Sequence, residues 1–188
     1  WGGPPDVRSM ALEPGGTVYA NVHVGGIIRS SDGGRTWNPT IDIHADVHQV
    51  NFDPGSGLVL AASARGLAVS PDNGVTWRYD SAGMHGKYLR AVAVANGTVL
   101  VAASTGPYTD RAAVYRRSLI SDGSFDKCSR GLPEWFPNNV DTSCLVAQDS
   151  IAAFGTQQGS VFLSDTEGEN WISAASGLPP VRCVALVQ

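Results

Sequence analysis

The chain has 188 residues, 43% of them hydrophobic and 16% charged, with 22 Gly, 11 Pro and a net charge of −4. So much glycine and proline excludes a helix bundle, the acidic balance argues against a nucleic-acid partner, and the evenly spread apolar residues exclude disorder. No apolar run approaches the roughly 20 residues of a membrane-spanning helix, so no membrane span is expected.

The chain opens Trp1-Gly2-Gly3-Pro4-Pro5-Asp6. This stretch has neither the basic nor the apolar region of a secretory signal, and the expected location is cytoplasmic. A first short strand is expected over residues 7–12, a Pro/Gly turn at 13–16, a small apolar strand at 17–21 and a third strand at 27–30. The third runs into Ser30-Ser31-Asp32-Gly33-Gly34-Arg35-Thr36-Trp37, and a fourth begins at the Trp. The same order returns over 47–52, 58–63 and 67–70, ending in Ser70-Pro71-Asp72-Asn73-Gly74-Val75-Thr76-Trp77. Trp37 and Trp77 are 40 residues apart. A third unit spans 89–94, 99–104 and 113–117, and its octet, Ser118 to Phe125, keeps the first Ser, a Ser in the Thr slot and an aromatic. A fourth unit spans 142–147, 150–155 and 161–164 and ends in Ser164-Asp165-Thr166-Glu167-Gly168-Glu169-Asn170-Trp171, with Thr166 in the Asp position. Gly-Leu-Pro connectors at 131–133 and 177–179 lead toward the next first strand, the last of these over 181–187.

In each octet Asp accepts hydrogen bonds from turn N–H groups, Gly supplies a positive φ, and Trp is an apolar wedge between sheets. The residues Ser30, Asp32, Gly34 and Trp37, Ser70, Asp72, Gly74 and Trp77, and Ser164, Gly168 and Trp171 therefore read as structural. The pattern resembles the Asp-box, Ser-x-Asp-x-Gly-x-Thr-Trp, of BNR-repeat β-propellers, a group including sialidases, sortilin-like receptors and photosystem II assembly factors. The chain also looks like bacterial WD40/YVTN/BNR-like repeat proteins. The resemblance implies an all-β propeller of four-stranded antiparallel blades over about 6–41, 46–80, 88–128 and 139–175, with a closing strand at 181–187. Six to eight such blades need about 270–360 residues. Residues 1–188 are thus expected to be one propeller domain or the C-terminal portion of one, Trp1 occupying the last position of a preceding octet. Closure at four blades, or a homo-oligomer in which chains complete the ring, are alternatives.

Propeller topology puts the octets on one face, and the loops between second and third strands, with the inter-blade connections, on the other. All four histidines, His23, His44, His48 and His85, fall on that second, top face. The second position of successive first strands holds Arg8, His48, Arg90, Ser143 and Arg182, a mostly basic ring at the channel mouth suited to a carboxylate or phosphate. Asp6, Asp46 and Asp141 precede three of them by two residues, so pairs that lock neighbouring blades are the first account of the pattern, ahead of an anion site. No metal site is expected: His44 and His48, four apart on a strand, lie roughly 13 Å from each other. No cofactor is expected either. Tyr88 lies beside this ring, Tyr108 on a long loop at 105–111, and Trp135 on the aromatic connection at 134–139, where Trp135 and Phe136 either stack on a ligand or plug an inter-blade gap.

The three cysteines, Cys128, Cys144 and Cys183, have no CxxC spacing and read as buried small hydrophobes. A sialidase resemblance implies an Arg triad, a Glu-activated Tyr and an Asp acid/base. Arg8, Arg90 and Arg182 lack the Arg-Ile-Pro context, and of the four Glu only Glu134 is on the top face. A two-carboxylate glycosidase needs Asp or Glu side chains about 5–9.5 Å apart, for which Asp46, Asp110 and Asp141 qualify by location. The expected function is a non-catalytic propeller binding a peptide, glycan or small anion on its top face, with a glycoside hydrolase acting on an acidic glycan as the alternative.

Overall fold

In a computed structural model of the chain, residues 5–187 are described. They form four antiparallel four-stranded sheets, each a meander in chain order. The first holds β1 (Asp6–Leu12), β2 (Val18–His23), β3 (Gly26–Ser30) and β4 (Asn38–Pro39); the second holds β5 (Val47–Asp53), β6 (Leu58–Ser63), β7 (Gly66–Ser70) and β8 (Arg78–Asp80). The third holds β9 (Tyr88–Ala95), β10 (Thr98–Ser104), β11 (Ala112–Ser118) and β12 (Asp126–Lys127); the fourth holds β13 (Leu145–Gln148), β14 (Ile151–Gly155), β15 (Val161–Ser164) and β16 (Ile172–Ala175). No helix occurs among the described residues. The inner strands β1, β5, β9 and β13 pack in that order, and no comparable packing joins β13 back to β1. The sheets are blades of a β-propeller.

Strand periodicity explains how the blades stack. Alternate side chains of a strand point to opposite faces, and a central blade is covered on both. In β6, Val59 and Ala61 enter a core shared with the first blade, beside Tyr19, Ile27 and Val47. Leu60 and Ala62 enter the next core, with Leu89, Val92, Val101 and Tyr115. A third core between the last two blades gathers Leu100, Val114, Phe136, Leu145, Phe154, Phe162 and Trp171, with Phe154 edge-on to Trp171 at 4.9 Å.

The octets form one turn, built three times. Ser30 Oγ donates to Asp32 Oδ1 (2.8 Å) and accepts from Gly34 N–H (2.9 Å), while Asp32 accepts from Thr36 N–H (2.9 Å) and Thr36 Oγ1 (2.6 Å). Trp37 Nε1 donates to Gly34 O (3.1 Å). Ser70, Asp72, Gly74, Thr76 and Trp77 repeat each bond. In the fourth blade Thr166 Oγ1 takes over the carboxylate's role by accepting from Asn170 N–H (3.0 Å), and Ser164 Oγ still accepts from Gly168 N–H (3.0 Å). The turn needs φ of +86° at Gly34, +84° at Gly74 and +80° at Gly168. An arginine of the preceding blade reaches the fourth octet position twice: Arg29 donates to Asn73 O (2.6 Å) and Arg116 to Glu167 O (3.2 Å). A Cβ on Gly168 would lie 2.5 Å from the fully buried Leu100, and one on Gly74 3.1 Å from Thr40, whereas Gly34 meets only its own Trp37. The octet is thus a latch between consecutive blades.

Four local expectations are corrected. The outer strands begin after the Trp and are as short as two residues, because Trp37 and Trp77 turn back onto the Gly carbonyl of their own octet. The inner strand expected over 142–147 starts at Leu145: Cys144 N–H donates to Asp141 O (3.0 Å) and Ser143 adopts φ +63°, so Asp141 to Cys144 is a turn. Residues 181–187 belong to no sheet, since none of the described residues supplies a second strand beside them. Cys128 and Cys144 are buried, but Cys183 is exposed. The Trp1 expectation lies outside the described residues.

Gly168→Ala combines a left-handed backbone with a clash in a filled core and is expected to destabilise the fold by about 2–4 kcal/mol. Gly34→Ala adds strain alone and is expected to cost less; urea unfolding of both variants checks the order. The Thr36 hydroxyl and N–H hold the Asp32 carboxyl down at about 2, and Thr76 lowers that of Asp72 in the same way. A depressed folded-state value stabilises fully above the unfolded value near pH 4 and is lost as the pH falls toward 2. Thermal unfolding should therefore drop between about pH 4 and 2, and Asp32→Asn should flatten that drop.

Candidate functional site

The inner strands carry a shared irregularity that redirects the side chains singled out in the sequence. Val7 pairs with Val22 and Ser9 with Asn21, leaving Arg8 as an extra residue. Val47 and Gln49 pair with successive residues of β6, leaving His48. Leu89 and Ala91 do the same against β10, leaving Arg90. Each is a β-bulge, a device that bends the strand and re-aims one side chain. The turn at Ser143 stands at the equivalent place in the fourth blade.

These bulged residues do not form an open basic ring. Arg90 Nη1 is bonded to Asp141 Oδ1 at 2.9 Å, with both side chains largely buried, and this pair joins the third blade to the lead-in of the fourth. Gln157 Nε2 donates to the other Asp141 oxygen (2.7 Å), and Arg90 Nη2 to Tyr88 Oη (3.4 Å). Arg8 Nε lies 3.7 Å from Asp6 Oδ2, and His23 Nδ1 3.6 Å from Asp6 Oδ1. His48 is 1% exposed; its Nδ1 is hydrogen-bonded to Leu89 O, its Nε2 lies 3.2 Å from Asp46 Oδ1, and its ring packs on Tyr88 at 4.6 Å. The neighbouring His48 ring holds the Asp46 carboxyl below the ordinary carboxylate range. Burial raises the Tyr88 hydroxyl and, aided by Arg8, lowers His23. Thr142 closes the centre, donating toward His48 O (3.1 Å) and Arg90 O (3.3 Å) from the neighbouring inner strands.

Other candidates are held by the scaffold. His85 lies between Tyr115 Oη (2.8 Å from Nδ1) and Arg111 O (2.9 Å from Nε2), with Trp135 tilted against it at 4.5 Å. Lys127 sits over the Trp135 ring at 3.5 Å, and Phe136 is buried in the third core, so this connection fills the inter-blade gap. Arg182 is exposed on the segment after the fourth blade, and so is His44 on the first inter-blade connection. No group of three metal-ligating side chains occurs among the described residues. Burial pushes the Cys128 thiol up to about 12 and the Cys144 thiol to about 11. Neither is a nucleophile near neutral pH.

Between the third and fourth blades lies a cleft of about 550 Å³ on the top face. Arg90, Asp141 and Gln157 line it, with Asn138 and Asn139 from the connection and Pro107, Tyr108, Thr109 and Asp110 from the long loop. The loop is braced: Asn139 Nδ2 donates to Gly106 O (3.1 Å) and Pro107 O (3.2 Å), and buried Thr109 Oγ1 to Arg111 O (2.9 Å). Tyr108 is nevertheless 100% exposed. Of the nine ligand residues expected from sequence, the cleft unites Arg90 and Tyr108. Asp110 and Asp141, placed on the top face by topology, also meet there. Gln157 and Thr142 carried no signal beyond lying in polar loop segments.

No protein-family model and no curated protein matches the sequence. Solved structures do. An ancestral GH74 enzyme superposes with a TM-score of 0.67 at 17% identity, covering 91% of this chain and 24% of that one. The GH74 xyloglucanase of Xanthomonas campestris gives 0.66 at 18%, covering 90% and 30%. A chain of the mitotic checkpoint complex gives 0.65 at 9%, covering 90% and 49%. The likeness establishes the propeller fold, and this chain spans less than a third of the GH74 enzymes it resembles.

Breaking the Arg90–Asp141 bond leaves one charge largely buried without its partner. Arg90→Ala or Asp141→Ala is expected to cost about 2–4 kcal/mol, with the double variant less than the sum. A double-mutant cycle by chemical denaturation checks this.

Proposed function

We propose that the cleft between the third and fourth blades binds a glycan without cleaving it. The observation that carries this reading is Tyr108, a fully exposed aromatic ring on a braced loop at the edge of a polar cleft. A bare ring on a braced loop offers a stacking face, and the Asn, Gln, Thr and Asp groups around it match the hydroxyls of a sugar. The charged lining residues are Arg90 against Asp110 and Asp141. With Arg90 already paired, this balance favours a neutral glycan over an acidic glycan or a small anion. Asp141 accepts from both Arg90 and Gln157, which ties up one of the two carboxylates that hydrolysis needs. The octet turns, with their Ser, Asp and Gly bonds, support reading the chain as a BNR/Asp-box repeat protein.

The xyloglucanase among its fold neighbours makes xyloglucan oligosaccharides a suitable first probe. Calorimetric titration should detect binding of these or other neutral oligosaccharides in preference to sialyllactose, and Tyr108→Ala should weaken it roughly tenfold, about 1.4 kcal/mol. Release of reducing ends would overturn the non-catalytic reading, and binding indifferent to Tyr108→Ala would overturn the placement.

A further inference from the structure

The two segments that wall the cleft, the connection at 134–139 and the loop at 156–160, also enclose a second pocket of about 240 Å³. Pro137 and Gln158 line this pocket where their chain neighbours Asn138 and Gln157 line the cleft. Neighbouring Cα atoms are about 3.8 Å apart, so the two spaces share one wall. Across that wall Gln158 Nε2 donates to Asn138 Oδ1. Both spaces lie at the joint of the third and fourth blades, whose core is filled from both sides.

The second pocket is chemically unlike the cleft. Its floor is the buried pair Phe136 and Phe162, and its rim is Pro133 and Pro137, both exposed. Trp135, partly exposed, adds to the lining while it packs against His85. Polar groups at the pocket are spent inside the protein. Thr156 Oγ1 donates to Ser160 O (3.4 Å) and accepts from Ser160 N–H (3.2 Å), and Gln158 is bonded to Asn138. A sugar hydroxyl would lose its water here without gaining a partner, whereas an apolar group gains by the transfer. The lining rings already meet edge to face, Phe136 against Phe162 at 5.6 Å and 71°, an arrangement that an added aromatic ring extends. At about 30 Å³ for each displaced water the pocket has room for about eight waters, the space of one substituted benzene ring.

We propose that the ligand is a glycan bearing an aromatic substituent, an aryl glycoside or aromatic ester, and that it spans both spaces. This rests on the reading of the cleft as a glycan site. The sugar lies in the cleft against Tyr108, and the aromatic ring crosses the Asn138–Gln158 bridge into the second pocket. Gln158 is exposed, so the link between sugar and ring passes over the wall through solvent and breaks no buried bond. A plain sugar fills one space and a free aromatic the other. Only the joined molecule fills both, and its second contact is made at a high effective concentration once the first has formed.

Calorimetric titration of the full chain with methyl, cyclohexyl and 4-nitrophenyl β-cellobioside tests this. The 4-nitrophenyl compound should bind roughly tenfold tighter than the methyl one, about 1.4 kcal/mol, and the cyclohexyl compound should gain less. Ser160 lines the second pocket and is held by its main chain, its carbonyl accepting from Thr156 N–H at 2.9 Å. Ser160→Phe fills the pocket and should abolish the aryl gain. Trp135→Leu removes one aromatic wall and should reduce the gain; it decides if Ser160→Phe does not fold by circular dichroism. Tyr108→Ala should weaken the methyl and aryl compounds alike. Equal binding of those two, an equal gain from the cyclohexyl group, or an aryl gain that survives the pocket substitutions overturns this inference and leaves the glycan cleft standing. Binding of 4-nitrophenol without binding of methyl β-cellobioside, or no binding of any of the three glycosides, overturns the glycan cleft and the spanning ligand with it.

Discussion

Every blade of this propeller has two apolar faces, and each must be covered by a neighbour. The requirement follows from the strands themselves, whose alternating small and branched residues send one set of side chains to each side. Leu60 and Val59 are adjacent in sequence and both fully buried, yet they belong to different cores. No blade is stable alone, and the stack is as strong as its joints. The octet turn serves those joints. Its serine and aspartate satisfy the turn from within, its glycine lets the backbone approach the preceding blade, and an arginine from that blade caps it on two occasions.

The same stacking creates the cleft. Bulges at Arg8, His48 and Arg90 tip one side chain of each inner strand toward the top face, where it meets a carboxylate. In the first two blades the partner lies on the same strand or just before it. In the third, Arg90 reaches across to Asp141, and the Asp141–Cys144 turn displaces the start of β13. The fourth blade thereby opens a space roofed by the loop bearing Tyr108. Structural ion pairing and ligand access are two results of one device, since the bond that fixes the blades also sets the floor of the cleft.

Much of the fold was legible in the sequence because it rests on local signals repeated in order. The Ser-Asp-Gly-Trp spacing specifies a hydrogen-bonded turn wherever it occurs, and even Thr166 keeps the geometry because a hydroxyl can accept the same N–H. The site was legible only in part. Aligning the second positions of the inner strands found the bulge residues and named Asp/Arg pairing beside an open anion-binding ring, but a bulge cannot be seen without the partner strand, so only the structure separates the two. Trp135 illustrates the ambiguity of aromatic loops: stacking platform and plug share one composition, and only packing against His85 and Lys127 separates them. Gln157 was invisible because its role depends on Asp141, sixteen residues away.

On the proposed reading, a polar cleft with one bare aromatic ring on a braced loop and nearly balanced charge holds a glycan rather than cutting it. Residue-resolved NMR during titration with a neutral oligosaccharide tests that account most directly. The account predicts that shifts concentrate at Gly106, Tyr108, Asp110, Asn139 and Gln157, with the octet glycines Gly34 and Gly74 on the opposite face unmoved. Shifts centred on the octets, or spread without preference for the cleft, would contradict it.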